Sequence, residues 1–217
     1  MRMYNPEWEA IKDFEYTPRF LDVQFDLTGS EIPADHGQPL YEALLAHLPW
    51  LKDEPAAGVH PIHGAPTGRN ENLIINRRVK LVLRLPVARL DDARSLIGQR
   101  LDTGAGDLMV GDLKEKQLTP CATLYSHVVD FGTGDEAGFL QAARAELDKA
   151  GIQCGMIPGK KRKMHLAEGD ISGYSLMLYD VDLLQSLQVQ EDGLGRHRGY
   201  GCGIFIPHKS IKEVAAG

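Results

Sequence analysis

The sequence predicts an α+β protein built from one β-α-β-β-α-β unit followed by a second. Three observations predict it. Residues 19–27, RFLDVQFDL, alternate Asp22, Gln24 and Asp26 with Leu21, Val23, Phe25 and Leu27, the period of a strand with one buried face. Residues 135–150, DEAGFLQAARAELDKA, form an amphipathic helix, with Asp135 placed to cap it and Gly151 to stop it. The order of extended and helical segments in the first half then recurs in the second. Tandem βαββαβ units are ferredoxin-like (RRM-like) domains, expected over 1–117 and 118–217 with the junction near 113–120.

The other elements follow in order. Residues 39–48 read as a helix, with Pro39 suited to its first turn and Pro49 ending it. Residues 50–70 are rich in Gly and Pro and read as loop. Strands are expected at 72–76 (NLIIN) and 79–85 (VKLVLRL), then a helix over 87–97 stopped by Gly98, then a short strand near 107–112. The second half opens with a strand over 121–131 ahead of the helix at 135–150. Strands near 162–167 and 171–179, a helix over 181–191 and a last strand, CGIFIP, complete it.

Composition excludes several classes. The chain has 217 residues, 43% hydrophobic and 25% charged, which is ordinary for a packed globular protein. No apolar run approaches the ~18 residues of a membrane span, and MRMYNPEWEAIKDFEY lacks a secretory signal's apolar stretch. Three widely spaced cysteines (Cys121, Cys154, Cys202) with no CxxC argue against a disulfide framework or zinc finger and for a reducing cytoplasm. A net charge of −6 argues against a general nucleic-acid binder. The charges are segregated, however: Lys160-Lys161-Arg162-Lys163 is a run of four cations, and Arg77, Arg78 and Lys80 form another group.

Residues 193–207, GLGRHRGYGCGIFIP, place five glycines within eleven residues, beside Arg196, His197 and Arg198 and just before an apolar strand. Glycine permits positive φ and close backbone approach, and successive free N–H groups with arginines make an anion cradle. The same stretch also reads as a flexible helix-to-strand connection. It is neither a GxGxxG following a strand nor a Walker A motif, so no nucleotide cofactor is expected.

Two such repeats ending in this glycine-rich loop resemble the RAMP superfamily of CRISPR-associated proteins. The segments PADHGQPLYEALL (33–45), GVHPIHG (58–64) and QEDGLGRHRGYGCGIFIP (190–207) are similar to the sixth CRISPR-associated protein family, the repeat-processing endoribonucleases, in its type I-MYXAN subtype. The resemblance runs from about residue 20 to 207. It implies a metal-independent enzyme that cuts precursor transcripts once per repeat. The RNA's 2′-hydroxyl attacks the adjacent phosphate, leaving a 2′,3′-cyclic phosphate and a 5′-hydroxyl. The partner implied is a repeat RNA with a stem-loop, and other effector subunits are candidate partners. A second class with the same fold is a catalytically silent RNA-binding subunit of an effector complex.

That reaction needs proton transfer, charge stabilisation and in-line geometry. Histidine suits the first task at neutral pH. His36, expected exposed at the start of the first helix with Asp35 as a possible N-cap, is the leading catalytic candidate, where the family's catalytic histidine usually lies. Tyr41, five residues on, is a candidate to contact the scissile phosphate, or else a packed aromatic. His60 is the third candidate. His60 and His63 form an H-x-x-H without clear further ligands, and H-E-x-x-H is absent, so no metal is expected. His47 and His127 read as structural. The transition-state cation is left among Lys52, Arg69 and Arg77. RNA contact is expected from Lys160, Lys161, Arg162 and Lys163, and from Gly195, Arg196, His197, Arg198, Gly199 and Gly201, since shape and phosphate contacts dominate recognition of A-form RNA.

Overall fold

The computed structural model describes residues 16–68 and 71–209. The first half holds β1 (Phe20–Thr28), β2 (Glu31–Pro33), α1 (Gly37–Leu45), β3 (Gly58–Val59), β4 (Ala65–Pro66), β5 (Asn72–Ile74), β6 (Lys80–Pro86), α2 (Leu90–Arg94), β7 (Arg100–Asp102) and β8 (Asp107–Gln117). The second holds β9 (Leu124–Val129), α3 (Glu136–Lys149), β10 (Gly155–Leu166), β11 (Gly169–Tyr179), α4 (Leu183–Asp192) and β12 (Ile206–Pro207).

The alternation in β1 buries Leu21, Val23, Phe25 and Leu27 and sets this strand inside an antiparallel sheet of order β3-β6-β1-β8-β7. Its register with β6 runs from Phe20↔Pro86 to Asp26↔Lys80. The second sheet has the order β10-β11-β9-β12, so here too the first strand of the half lies between later ones. Each sheet carries its own apolar core, one drawn from residues 21–110 and one from 124–205. Asp135 caps α3 as expected, accepting from the Gly138 N–H at 2.7 Å, and Gly151 follows with φ +71°. Among the described residues no helix is long and apolar enough to cross a membrane.

Two expectations about strands are corrected. The 72–76 segment does not join the main sheet: β5 pairs with β2 and β4 in a separate three-stranded sheet. Its place beside β6 is taken by two residues, β3, from the stretch read as loop. Burial explains the exchange. Ile74 is largely exposed, whereas Gly58 and Val59 are buried, with Gly58 against Ile204 of the other half. The second correction is that β10 starts at Gly155 rather than near 162, so all four cations, not only Arg162 and Lys163, lie on an edge strand. Charged side chains on an edge block unwanted strand pairing.

The halves meet at a buried polar seam. Arg84 of β6 is fully buried. Its Nε and Nη2 bind the two oxygens of Asp22 at 2.7 and 2.8 Å, and its Nη1 donates to the Gln190 and Phe205 carbonyls at 2.9 and 2.6 Å. Buried Glu191 ties the start of β1 to the end of α4, accepting from the Tyr16 hydroxyl and from the backbone N–H and Nε of Arg19 at 2.9 and 2.7 Å.

Candidate active site

A cavity of about 510 Å³ opens where the halves meet, within the ~300–1,000 Å³ range usual for ligand sites. Its walls come from the start of α1 (Asp35, His36), the segment Pro61–Gly64, His127 of β9, Arg162–Met164 of β10, and Tyr200.

His36 is the N-cap of α1, but it is buried and not exposed as expected, because both ring nitrogens are bonded to backbone. Nδ1 lies 3.0 Å from the Pro33 carbonyl and therefore carries the hydrogen, while Nε2 accepts the Ile62 N–H at 2.8 Å. Burial pushes its pKa down, which keeps the ring in this neutral form. His36 thus pins the 61–64 segment to α1. Asp35 does not cap the helix. Its Oδ2 accepts the His165 N–H at 2.8 Å and approaches His165 Nδ1 at 2.7 Å, clasping β10 to the first half.

That clasp has a pH dependence. The Asp35 hydrogen bond, helped by Asp170, raises the His165 pKa above its ordinary 6.5. The stabilisation is therefore fully present below the ordinary value and fades as pH rises through the raised one. An NMR titration of the His165 ring is expected to show the raised midpoint and its return toward 6.5 in Asp35→Asn. An unchanged midpoint in that variant would contradict the clasp.

Tyr41 sits one layer behind the cavity wall. Its ring packs edge-on against Tyr200 at 4.7 Å and its hydroxyl lies 3.5 Å from the Leu51 carbonyl, so it takes the packed-aromatic reading. His60 belongs to the seam, with Nε2 3.2 Å from Asp22. Burial alone would raise the Asp22 carboxyl, but hydrogen bonds from Arg84 and His60 outweigh it and hold the carboxyl well below its usual range.

Lys160, Lys161, Arg162 and Lys163 are all exposed on β10, and Arg162 and Lys163 reach the cavity. Lys161 donates to the Gly134 carbonyl at 2.6 Å. Neither Lys52 nor Arg77 lines the cavity, and Arg69 lies outside the described residues.

The glycine-rich loop is packed, and much of its backbone is already paired. The N–H of Gly195 goes to Glu146, that of Arg196 to the Asp130 carbonyl, that of Gly201 to Arg198, that of Cys202 to His197 and that of Gly203 to Val128. Close approach is what its glycines serve. A Cβ on Gly199 would lie 2.6 Å from the Tyr41 ring, and one on Gly193 (φ +69°) would lie 1.8 Å from Arg198 Nη1. Arg198, expected on the RNA, turns inward and is buried, donating Nη2 to the Glu191 carbonyl at 3.0 Å. His197 is held by buried Asp130 at 2.7 Å. Arg196 stays exposed while also meeting Asp130 at 3.2 Å.

His127, read as structural, meets His63 of the H-x-x-H segment instead. His63 and His127 approach with ring centroids 4.2 Å apart. Burial, then the His63 ring and Arg162, push the His127 pKa down to about 4, and burial with Arg162 lowers that of His63. Among the described residues no three His, Cys, Asp or Glu side chains are grouped as a metal site requires.

Residues 21–210 match the family described as Cas6 Crispr. The chain belongs to the Cas6 family. It is 31% identical over 189 residues to the CRISPR-associated endonuclease Cas6 of Myxococcus xanthus (strain DK1622), covering 87% of this chain and 81% of that protein. Its fold is similar to that of a Cas6-related protein from Pyrococcus furiosus (TM-score 0.66, 12% identity, 88% of this chain and 99% of the other). It is also similar to Thermus thermophilus Cse3 bound to an RNA representing a pre-cleavage complex (TM-score 0.51, 15% identity, 86% and 98%). Of the sequence's catalytic candidates, this Cas6-family chain brings only His36 to the cavity. The pairing of His63 with His127 has no local signal. Alternation places His127 with Tyr125 on the face opposite Leu124, but nothing in either segment shows that the other half supplies a ring there.

Proposed function

We propose that this chain is a repeat-processing endoribonuclease. It binds CRISPR repeat RNA across two tandem ferredoxin-like units and cuts it without a metal ion, by 2′-hydroxyl attack on the adjacent phosphate. The observation that carries the reading is the cavity at the seam, which puts the neutral imidazoles of His63 and His127 beside Arg162 and Lys163. Neutral imidazole can accept a proton, and the cations suit a phosphorane's added charge. The membership in the Cas6 family and the Myxococcus relative's description as an endonuclease support it. The exposed row Lys160–Lys163 supports RNA contact along β10, with Arg196 as the outward cation of the glycine-rich loop.

The test is cleavage of the repeat RNA from the protein's own locus in excess EDTA, with a matched substrate carrying a 2′-deoxy nucleotide at the cut site. The expected result is one cut in EDTA, a fragment with a 5′-hydroxyl, and no cut of the deoxy substrate. Tight binding with no cut of either RNA would move the chain to the silent RNA-binding class. Cleavage abolished by EDTA would overturn the metal-free step.

A further inference from the structure

His63 and His127 come from different halves of the chain, one from the loop after β3 and one from β9, and meet at the cavity mouth with centroids 4.2 Å apart. Among the described residues no hydrogen bond ties up the ring nitrogens of either, unlike those of His36. His63 is the more open of the two and only partly covered, His127 is half-buried, and Tyr125 stands edge-on behind His127 at 5.0 Å. The N–H of Ile62, held by His36 Nε2, fixes the residue directly before His63. Arg162, from the strand across the cavity, is the cation that acts on both rings.

We propose that His63 and His127 are the catalytic proton-transfer pair of the RNA cleavage, one taking the proton of the attacking 2′-hydroxyl and the other giving a proton to the departing 5′-oxygen. The inference rests on the endoribonuclease reading above. The 2′-oxygen forms its bond to phosphorus as its proton passes to the neutral imidazole. The bond from phosphorus to the 5′-oxygen breaks as that oxygen takes the proton of the other ring. The products are the 2′,3′-cyclic phosphate and a 5′-hydroxyl, with one proton moved from one ring to the other and then re-equilibrated with water.

The contact between the rings supports this division of labour. Two imidazoliums this close repel, so the pair holds one proton in preference to two. The free cavity, with Arg162 beside it, favours none. An arriving phosphodiester supplies the negative charge that lets one ring become the acid while its neighbour remains a base. Arg162 and Lys163 are then placed on the non-bridging oxygens.

The test uses His63→Ala and His127→Ala in the full-length protein. Single-turnover cleavage and binding of the 2′-deoxy repeat are measured, together with cleavage of a repeat whose scissile 5′-oxygen is replaced by sulfur. A thiolate leaves without a proton. Each variant is expected to cut the normal RNA at least ~100-fold more slowly while binding the deoxy RNA within about threefold of the wild type, which also reports that it folds. The sulfur substrate restores the rate in one variant, identifying the acid, and not in the other. Wild-type cutting with undiminished cutting by both variants would overturn the pair and leave the endoribonuclease reading intact. Loss of cutting in both with rescue in neither would also overturn it. A wild-type protein that does not cut would instead remove the reading beneath it.

Discussion

Arg84→Met is expected to lower the free energy of unfolding by about 3–5 kcal/mol, the usual result of removing one partner from a buried ion pair. The guanidinium makes four hydrogen bonds, two to Asp22 and one each to the Gln190 and Phe205 carbonyls. Without it the Asp22 carboxylate, 17% exposed, keeps His60 alone among the described residues, and two carbonyls at the seam lose their Arg84 donor. That loss is a large share of the ~5–15 kcal/mol that holds a typical domain folded. Arg198→Met supplies the contrast. Arg198 is also buried, yet its Nε and Nη1 find no hydrogen-bond acceptor and the neighbouring Arg84 helps burial push its pKa down to about 10. Removing a buried cation that is only partly satisfied is expected to change stability by less than ~1 kcal/mol, or to raise it. Urea unfolding of both variants measures the difference. Equal losses would mean that burial alone, not hydrogen-bond completeness, sets the cost.

The second large effect concerns His36. His36→Ala is expected to slow cleavage about 100-fold or more, because a displacement of one ångström among reacting groups costs that much. His36→Gln is expected to remain within about tenfold of the wild type. The glutamine side-chain oxygen can accept the Ile62 N–H where Nε2 now does, although an amide cannot shuttle protons at neutral pH. Single-turnover rates, read beside binding of the 2′-deoxy RNA, decide the role. Retained activity in the glutamine variant identifies His36 as a positioning residue acting through the 61–64 segment. A glutamine variant as inactive as the alanine one would return the proton transfer to His36 itself.

The sequence made some of this visible and hid the rest for physical reasons. The alternation of 19–27 and the capped helix at 135–150 are local patterns, and both elements formed where the pattern put them. The strand at Gly58–Val59 carries no such pattern, since two residues hold no period; what makes it a strand is burial against Ile204, some 145 residues away in the chain. The start of β10 at Gly155 was hidden because a run of cations shows no alternation, although an edge strand open to water on both faces has that composition. At the site, the position of His36 beside the first helix was legible and its burial was not. Its two hydrogen bonds depend on where Pro33 and Ile62 come to rest. The glycine-rich loop announced close backbone approach correctly, but the surface it approaches is the protein's own first half. The His63–His127 contact joins residues from separate halves, which no single window can contain.

The seam also has a consequence for the order in which the protein can mature during synthesis. Arg84 leaves the ribosome about 120 residues before Phe205, whose carbonyl it needs, and some 106 before Gln190. Until those residues emerge, the nascent first half holds a cation whose native partners are only partly made, and it lacks His127 and β10 to face His36 and His63. The cavity therefore cannot be complete before Tyr200, the latest of its wall residues, has emerged. A translating chain can expose its basic and histidine-bearing segments to the surrounding RNA without yet possessing the enclosed geometry that cutting requires.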